Sequence, residues 1–205
     1  MSRVCINFTT GLIILLLSTT TVFAAAKKQP RVAVGNPIDG KDKSMLCQSC
    51  HGEDGNSADA TVPKLAGQYS AYIVKQMQDY QTGKREDPVM TGMAATVTEN
   101  QDLLDIAAYF ASQKPMRRTG PAVPIDKAGE DKFLGMGCVR CHVLAAGDFA
   151  APRIGGQHNA YVLKQLRAYK SGARTNDPSS VMYRLTLFME DKDLVNLAHF
   201  VAGMQ

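Results

Sequence analysis

The chain has 205 residues, 45% of them hydrophobic and 20% charged, and a formal net charge of +4. A balance this close to neutral, with no concentrated basic stripe, argues against a nucleic-acid-binding surface. The charge is unevenly spread, nine Lys+Arg against eleven Asp+Glu over 27–113 and ten against eight over 125–205, and such a field can orient a protein as it meets a charged partner.

Residues 1–26 carry Arg3, the apolar run Leu12-Ile13-Ile14-Leu15-Leu16-Leu17 and a Thr-rich stretch ending in Ala24-Ala25-Ala26. This is the tripartite pattern of a signal peptide, cleaved after about Ala26, with an uncleaved membrane anchor as the alternative. The apolar run is too short to span a bilayer, which takes about 20 apolar residues. Cys5 precedes the run and is expected to leave with the leader.

Cys47-Gln48-Ser49-Cys50-His51 recurs as Cys138-Val139-Arg140-Cys141-His142. C-x-x-C-H is the attachment signature of c-type haem: two thiols spaced to add across two vinyl groups, followed by an imidazole for the iron. Two copies predict two covalently bound haems, tethered by Cys47, Cys50, Cys138 and Cys141, with His51 and His142 as axial ligands. A single zinc site fits poorly, because the two Cys pairs lie 91 residues apart and each carries its own His. A thioredoxin-type dithiol belongs at a strand-to-helix junction, and no such pattern is present. With four cysteines used by haem, none remains for a disulfide. The exported chain must be held by its cores and by the buried haems.

The two motifs belong to an internal duplication. Pro63, Gly67-Gln68, Tyr72, Lys75-Gln76, Tyr80, Gly83 and Arg85 recur 89 residues later as Pro152, Gly156-Gln157, Tyr161, Lys164-Gln165, Tyr169, Gly172 and Arg174. Asp102-Leu103-Leu104-Asp105-Ile106-Ala107 recurs 91 residues later as Asp193-Leu194-Val195-Asn196-Leu197-Ala198. Each half therefore has one haem motif, one long middle helix and one closing helix, over 27–113 and 125–205. The segment 114–124 between them, with three prolines and a glycine, reads as a stiff linker. Tyr72, Gln76 and Tyr80 share a helix face with Ile73 and Met77 beside them, and Tyr161, Gln165 and Tyr169 repeat it. Gly83 and Gly172 are natural stops. Thr98-Glu99-Asn100-Gln101 has capping-box form and should start the first closing helix. No strand-type alternation appears, so the fold is all-α.

A thioether opposite each histidine would raise the potential and close the iron. Among ten methionines, Met90 and Met182 are the duplicated pair: they lie 39 and 40 residues beyond their histidines, each after an Asp-Pro, Asp87-Pro88 and Asp177-Pro178. Met93 competes with Met90. Met189 has no counterpart in the first half. His158 and His199 are not duplicated and read as structural or exposed. Arg85 and Arg174 suit haem propionates or, equally, solvated helix ends. The paired tyrosines read as core residues, with a propionate as one partner a buried hydroxyl would accept.

Over 38–205 the tandem C-x-x-C-H, P-x-[LI]-x-G-Q, Y-x-x-K-Q, D-P before Met and closing D-L-x-x-[IL]-A segments resemble the di-haem cytochrome c4 family. The resemblance implies two tandem class I cytochrome c domains with His/Met ligation, packed about a pseudo-twofold axis with the propionates facing each other. It also implies periplasmic electron transfer in a respiratory chain, from a donor such as a quinol:cytochrome c oxidoreductase toward a terminal oxidase, with peripheral membrane association as a further expectation. The other readings are a cytochrome subunit of a flavoprotein or quinoprotein dehydrogenase, and a di-haem peroxidase, which needs one open iron and is opposed by matching methionines in both halves.

Overall fold

The computed structural model describes residues 34–115, 126–144 and 151–204. The leader expected over 1–26, Cys5 and residues 116–124 of the expected linker lie outside the described residues. In chain order the first half holds α1 (Pro37–Lys43), α2 (Met45–His51), α3 (Ser70–Gln81), α4 (Met90–Ala95) and α5 (Asn100–Ser112). The second holds α6 (Lys127–Gly135), a π-helical turn (Arg140–Leu144), α7 (Asn159–Ser171), a 3-10 turn (Pro178–Ser180), α8 (Val181–Thr186) and α9 (Asp191–Gly203). Among the described residues there is no strand.

The opening helices α1 and α6 add to the expected middle and closing helices. Both carry a side-chain cap: Asn36 accepts from Ile38 N with Pro37 in the first turn, and Asp126 accepts from Gly129 N. Each packs on its closing helix, α1 on α5 and α6 on α9. The crossings are made at glycines. A Cβ on Gly40 would stand 2.0 Å from the Asp105 carbonyl oxygen, and one on Gly129 2.2 Å from that of Asn196, so only hydrogen fits between the two backbones. Lys43 ties the first crossing to Asp102 (2.7 Å) and Asp105 (2.5 Å), and Lys132 ties the second to Asp193 (3.2 Å).

The apolar faces then close two cores. Ile73, Met77 and Tyr80 of α3 meet Leu103, Ile106 and Phe110 of α5, and Phe133 and Val162 meet Leu194, Leu197 and Val201 of α9. The helix stops fall as the glycines predict: α3 ends at Gln81 ahead of Gly83 (φ 71°), and α7 ends into left-handed Gly172 (φ 76°). The capping box expected at Thr98–Gln101 does not form. The N-cap of α5 is Glu99, without a side-chain bond, and Gln101 Nε2 instead donates to Asp105 Oδ1 (2.8 Å) and Val34 O (3.3 Å). The reciprocal box occurs at α9, between Glu190 and Asp193.

Among the hydrogen bonds that join the halves, one set comes in reciprocal pairs, as expected of a twofold relation between duplicated halves. Gln68 donates to Arg153 O (2.9 Å) and accepts from Arg153 N (2.9 Å). Gln157 donates to Lys64 O (3.0 Å) and accepts from Lys64 N (2.9 Å).

Candidate functional site

Cys47, Cys50 and His51 stand at i, i+3 and i+4 of α2 and so share one face. In the second half Cys138 precedes the π-helical turn, and its carbonyl accepts from both Cys141 N (3.3 Å) and His142 N (3.1 Å). Cys47 and Cys138 are half-buried, while Cys50 and Cys141 reach solvent.

The histidines are held alike. His51 Nδ1 lies 2.8 Å from Pro63 O, and His142 Nδ1 2.9 Å from Pro152 O. A carbonyl oxygen only accepts, so Nδ1 carries the hydrogen and Nε2 keeps a free lone pair, the arrangement of a metal-ligating histidine with its other nitrogen anchored. Burial holds both imidazoles below the ordinary histidine range, partly offset by those hydrogen bonds. The duplicated Pro63 and Pro152 thus supply the anchors, a role that spacing alone did not assign to them.

His51, His142, Met90 and Met182 all line one continuous cavity between the halves, open in part to solvent. Met90 opens α4 and its N–H donates to Asp87 Oδ1 (3.2 Å); Met182 lies in the first turn of α8 and its N–H donates to Asp177 Oδ2 (2.7 Å). The Asp of each Asp-Pro pair therefore secures the backbone that carries the thioether. Met93 is half-buried and does not line the cavity. Met77 and Met189 do line it, but both are buried in the cores.

Arg85 and Arg174 are not solvated helix ends: each is only 7% exposed. Arg85 donates to Gln76 Oε1 of its own half (2.7 Å) and to Tyr161 Oη and Gln165 Oε1 of the other (3.0 Å each). Arg174 donates to Gln165 Oε1 (2.7 Å), Tyr72 Oη (3.1 Å) and Gln76 Oε1 (3.0 Å). Each guanidinium also lies over a tyrosine of its own half, Tyr80 at 4.7 Å and Tyr169 at 4.6 Å, and burial raises the pKa of both phenols. His158 is structural: its Nε2 meets Ser57 O (3.0 Å) and Oγ (3.1 Å) across the junction. His199 is exposed beside Asp126 at 3.7 Å.

Two thiols, an anchored imidazole with a free Nε2 and a thioether on the same cavity form, twice over, a donor set that fits a covalently held haem. The family description "Cytochrome c" matches residues 39–114. Cytochrome c4 of Pseudomonas aeruginosa is 39% identical over 184 residues, covering 84% of this chain and 90% of that one. The chain belongs to the cytochrome c4 family. The crystal structure of reduced recombinant cytochrome c4 from Pseudomonas stutzeri matches with a TM-score of 0.74 at 38% identity, over 84% of this chain and 100% of that one. A thiosulfate dehydrogenase electron acceptor from Thiomonas intermedia is 30% identical over 173 residues, 78% of this chain and 79% of that one. As a member of the cytochrome c4 family the chain has the class I cytochrome c fold and carries covalent c-type haem at its two C-x-x-C-H motifs. It is a di-haem electron-transfer cytochrome.

Proposed function

We propose that this chain is exported to the periplasm, by a leader cleaved after about Ala26, and carries single electrons between respiratory partners. His51 with Met90, and His142 with Met182, would ligate the two irons, and Cys47, Cys50, Cys138 and Cys141 would tether the haems. The observation that carries this reading is that both anchored imidazoles and both Asp-capped methionines open onto one cavity. The haems supply the one-electron chemistry. On haems so held the two thioethers would raise the potential and leave no place for an exogenous ligand, and the two cores would keep water away.

Arg85 and Arg174 are two buried cations whose hydrogen-bond acceptors here are neutral. Tyr72 and Tyr161 accept from them and keep their own hydroxyl hydrogens for an anion. This arrangement favours propionates from both halves meeting at the junction, where a shared cavity gives a short path between the two centres. We further propose a quinol:cytochrome c oxidoreductase as donor and a terminal oxidase as acceptor, reached from the membrane surface.

Carbon monoxide added to the reduced protein at neutral pH tests the closed-iron reading. An unchanged visible spectrum is expected. Stoichiometric binding at one haem would move a peroxidase-type function to the front. For the leader, the purified periplasmic protein should begin within a few residues of Lys27. A second reading, electron acceptor to one dedicated dehydrogenase, is favoured by the likeness to the Thiomonas intermedia protein. Co-purification with a larger catalytic chain would support it over a free carrier.

A further inference from the structure

The two methionine-bearing segments are not held alike. Asp87 is fully engaged: Oδ1 accepts from Val89 N (3.1 Å) and Met90 N (3.2 Å), and Oδ2 from Lys164 Nζ (3.0 Å), which reaches across from α7. Asp177 Oδ2 accepts from Met182 N (2.7 Å), but Oδ1 is buried and has no partner among the described residues. The duplication would have Lys75, the counterpart of Lys164, reach Asp177. Instead Lys75 donates to Asp79 and to the Asn176 carbonyl (2.7 Å). The place of Asp79 in the second half is taken by Ala168, so only the first half offers this competing carboxylate.

The backbone differs as well. Pro178-Ser179-Ser180-Val181-Met182 is two residues longer than Pro88-Val89-Met90. The two extra residues, Ser179 (φ 54°) and Ser180 (φ 53°), are the non-glycine residues with positive φ among those described. An L side chain is disfavoured there, and two in succession compound the strain. Both serines are exposed, and Val181 of α8 and Leu187 just after it stand partly in solvent, so the segment is held in this shape by hydrogen bonds, Ser180 N to Asp177 O (3.3 Å) and Arg184 Nη1 to Ser179 O, with little side-chain packing.

We infer that Met182 is the exchangeable ligand of the molecule: the second iron is a binding site for a small strong-field ligand such as cyanide, under conditions in which Met90 stays in place. The inference rests on the axial assignment proposed above. In the exchange hydrogen cyanide gives its proton to bulk water, the Met182 Sδ lone pair leaves ferric iron and the carbon lone pair of the cyanide anion replaces it. The oxidation state is unchanged.

The test is a cyanide titration of the oxidised, full-length holoprotein at fixed neutral pH. It is followed by the magnetic resonance signals of the two ligating methionine methyl groups, each assigned with Met90→Ala and Met182→Ala. The Met182 signal should be lost at a cyanide concentration roughly tenfold below that needed for Met90, as one backbone penalty of this kind implies. A Ser179→Gly/Ser180→Gly variant, which removes both Cβ penalties but gives the displaced segment more backbone freedom, should raise the concentration needed at the second iron roughly threefold or more. Lys164→Met, which unpins Asp87, should lower the concentration needed at the first. Loss of the Met90 signal first, loss of both together, or a glycine variant indistinguishable from wild type would overturn the inference. Two intact methionine signals in Met182→Ala would instead overturn the axial assignment, and the inference with it.

Discussion

Asp105 shows how one buried carboxylate contributes to the acid behaviour of the first half. It is buried where α1 crosses α5, accepting from Asn36 N (2.7 Å), Lys43 Nζ (2.5 Å) and Gln101 Nε2 (2.8 Å). Those bonds, the Asn36 N–H first, hold its pKa down to about 2. A folded-state pKa below the unfolded value of about 3.9 contributes stability that is complete above that value and lost as pH falls toward 2. Asp105→Asn should therefore lower stability at neutral pH and flatten its dependence between about pH 4 and 2, as measured by denaturant unfolding at a series of pH values. An unchanged acid limb would show that another group controls it. The counterpart in the second half is Asn196, so the second crossing has no carboxylate at this position.

At the scale of elements, the glycine crossings position everything else. Gly40→Ala drives a methyl group into the Asp105 carbonyl and Gly129→Ala into that of Asn196. Neither neighbour is a flexible side-chain tip, so the opening helix must lift from the closing helix. Each substitution should cost about 3 kcal/mol, visible in thermal or denaturant unfolding. Gly92→Ala is the control: it lies on α4 with nothing within 4 Å of the added Cβ, and should stabilise by roughly 0.5–1 kcal/mol. A tolerated Gly40→Ala would mean that the crossing can relax. The capping box that fails at α5 belongs to this scale too. Gln101 had the right spacing, but the buried Asp105 offers it a better partner than an exposed cap.

For the whole molecule, the reciprocal bonds make the two halves a unit. Gln68→Ala removes both bonds to the Arg153 backbone and should cost about 1–3 kcal/mol, since the backbone groups it leaves are part-buried. Gln157→Ala should match it, and the double variant should let the halves unfold in separate transitions. Arg85→Met removes a buried positive charge that touches both halves. Oxidised haem is then relatively favoured, so both reduction potentials should fall in potentiometric titration. A shift confined to one haem would mean that the guanidinium serves that half only.

Much of the candidate site could be read from spacing because its chemistry is local. Five residues suffice to hold a haem and present an imidazole, a 3.6-residue period exposes α3 and α7, and a repeat at offsets of 89 and 91 shows the duplication. That same repeat picked out Met90 and Met182 from ten methionines. The tertiary structure decided what depends on partners far along the chain. Pro63 and Pro152 became histidine anchors, Arg85 and Arg174 became a buried lattice across the junction, and Met90 rather than Met93 faced the cavity. Lys75 turned to Asp79 and left Asp177 Oδ1 without a partner among the described residues. Each of these outcomes is a competition between groups separated by many residues, and a linear pattern carries the competitors but not the distances that choose between them.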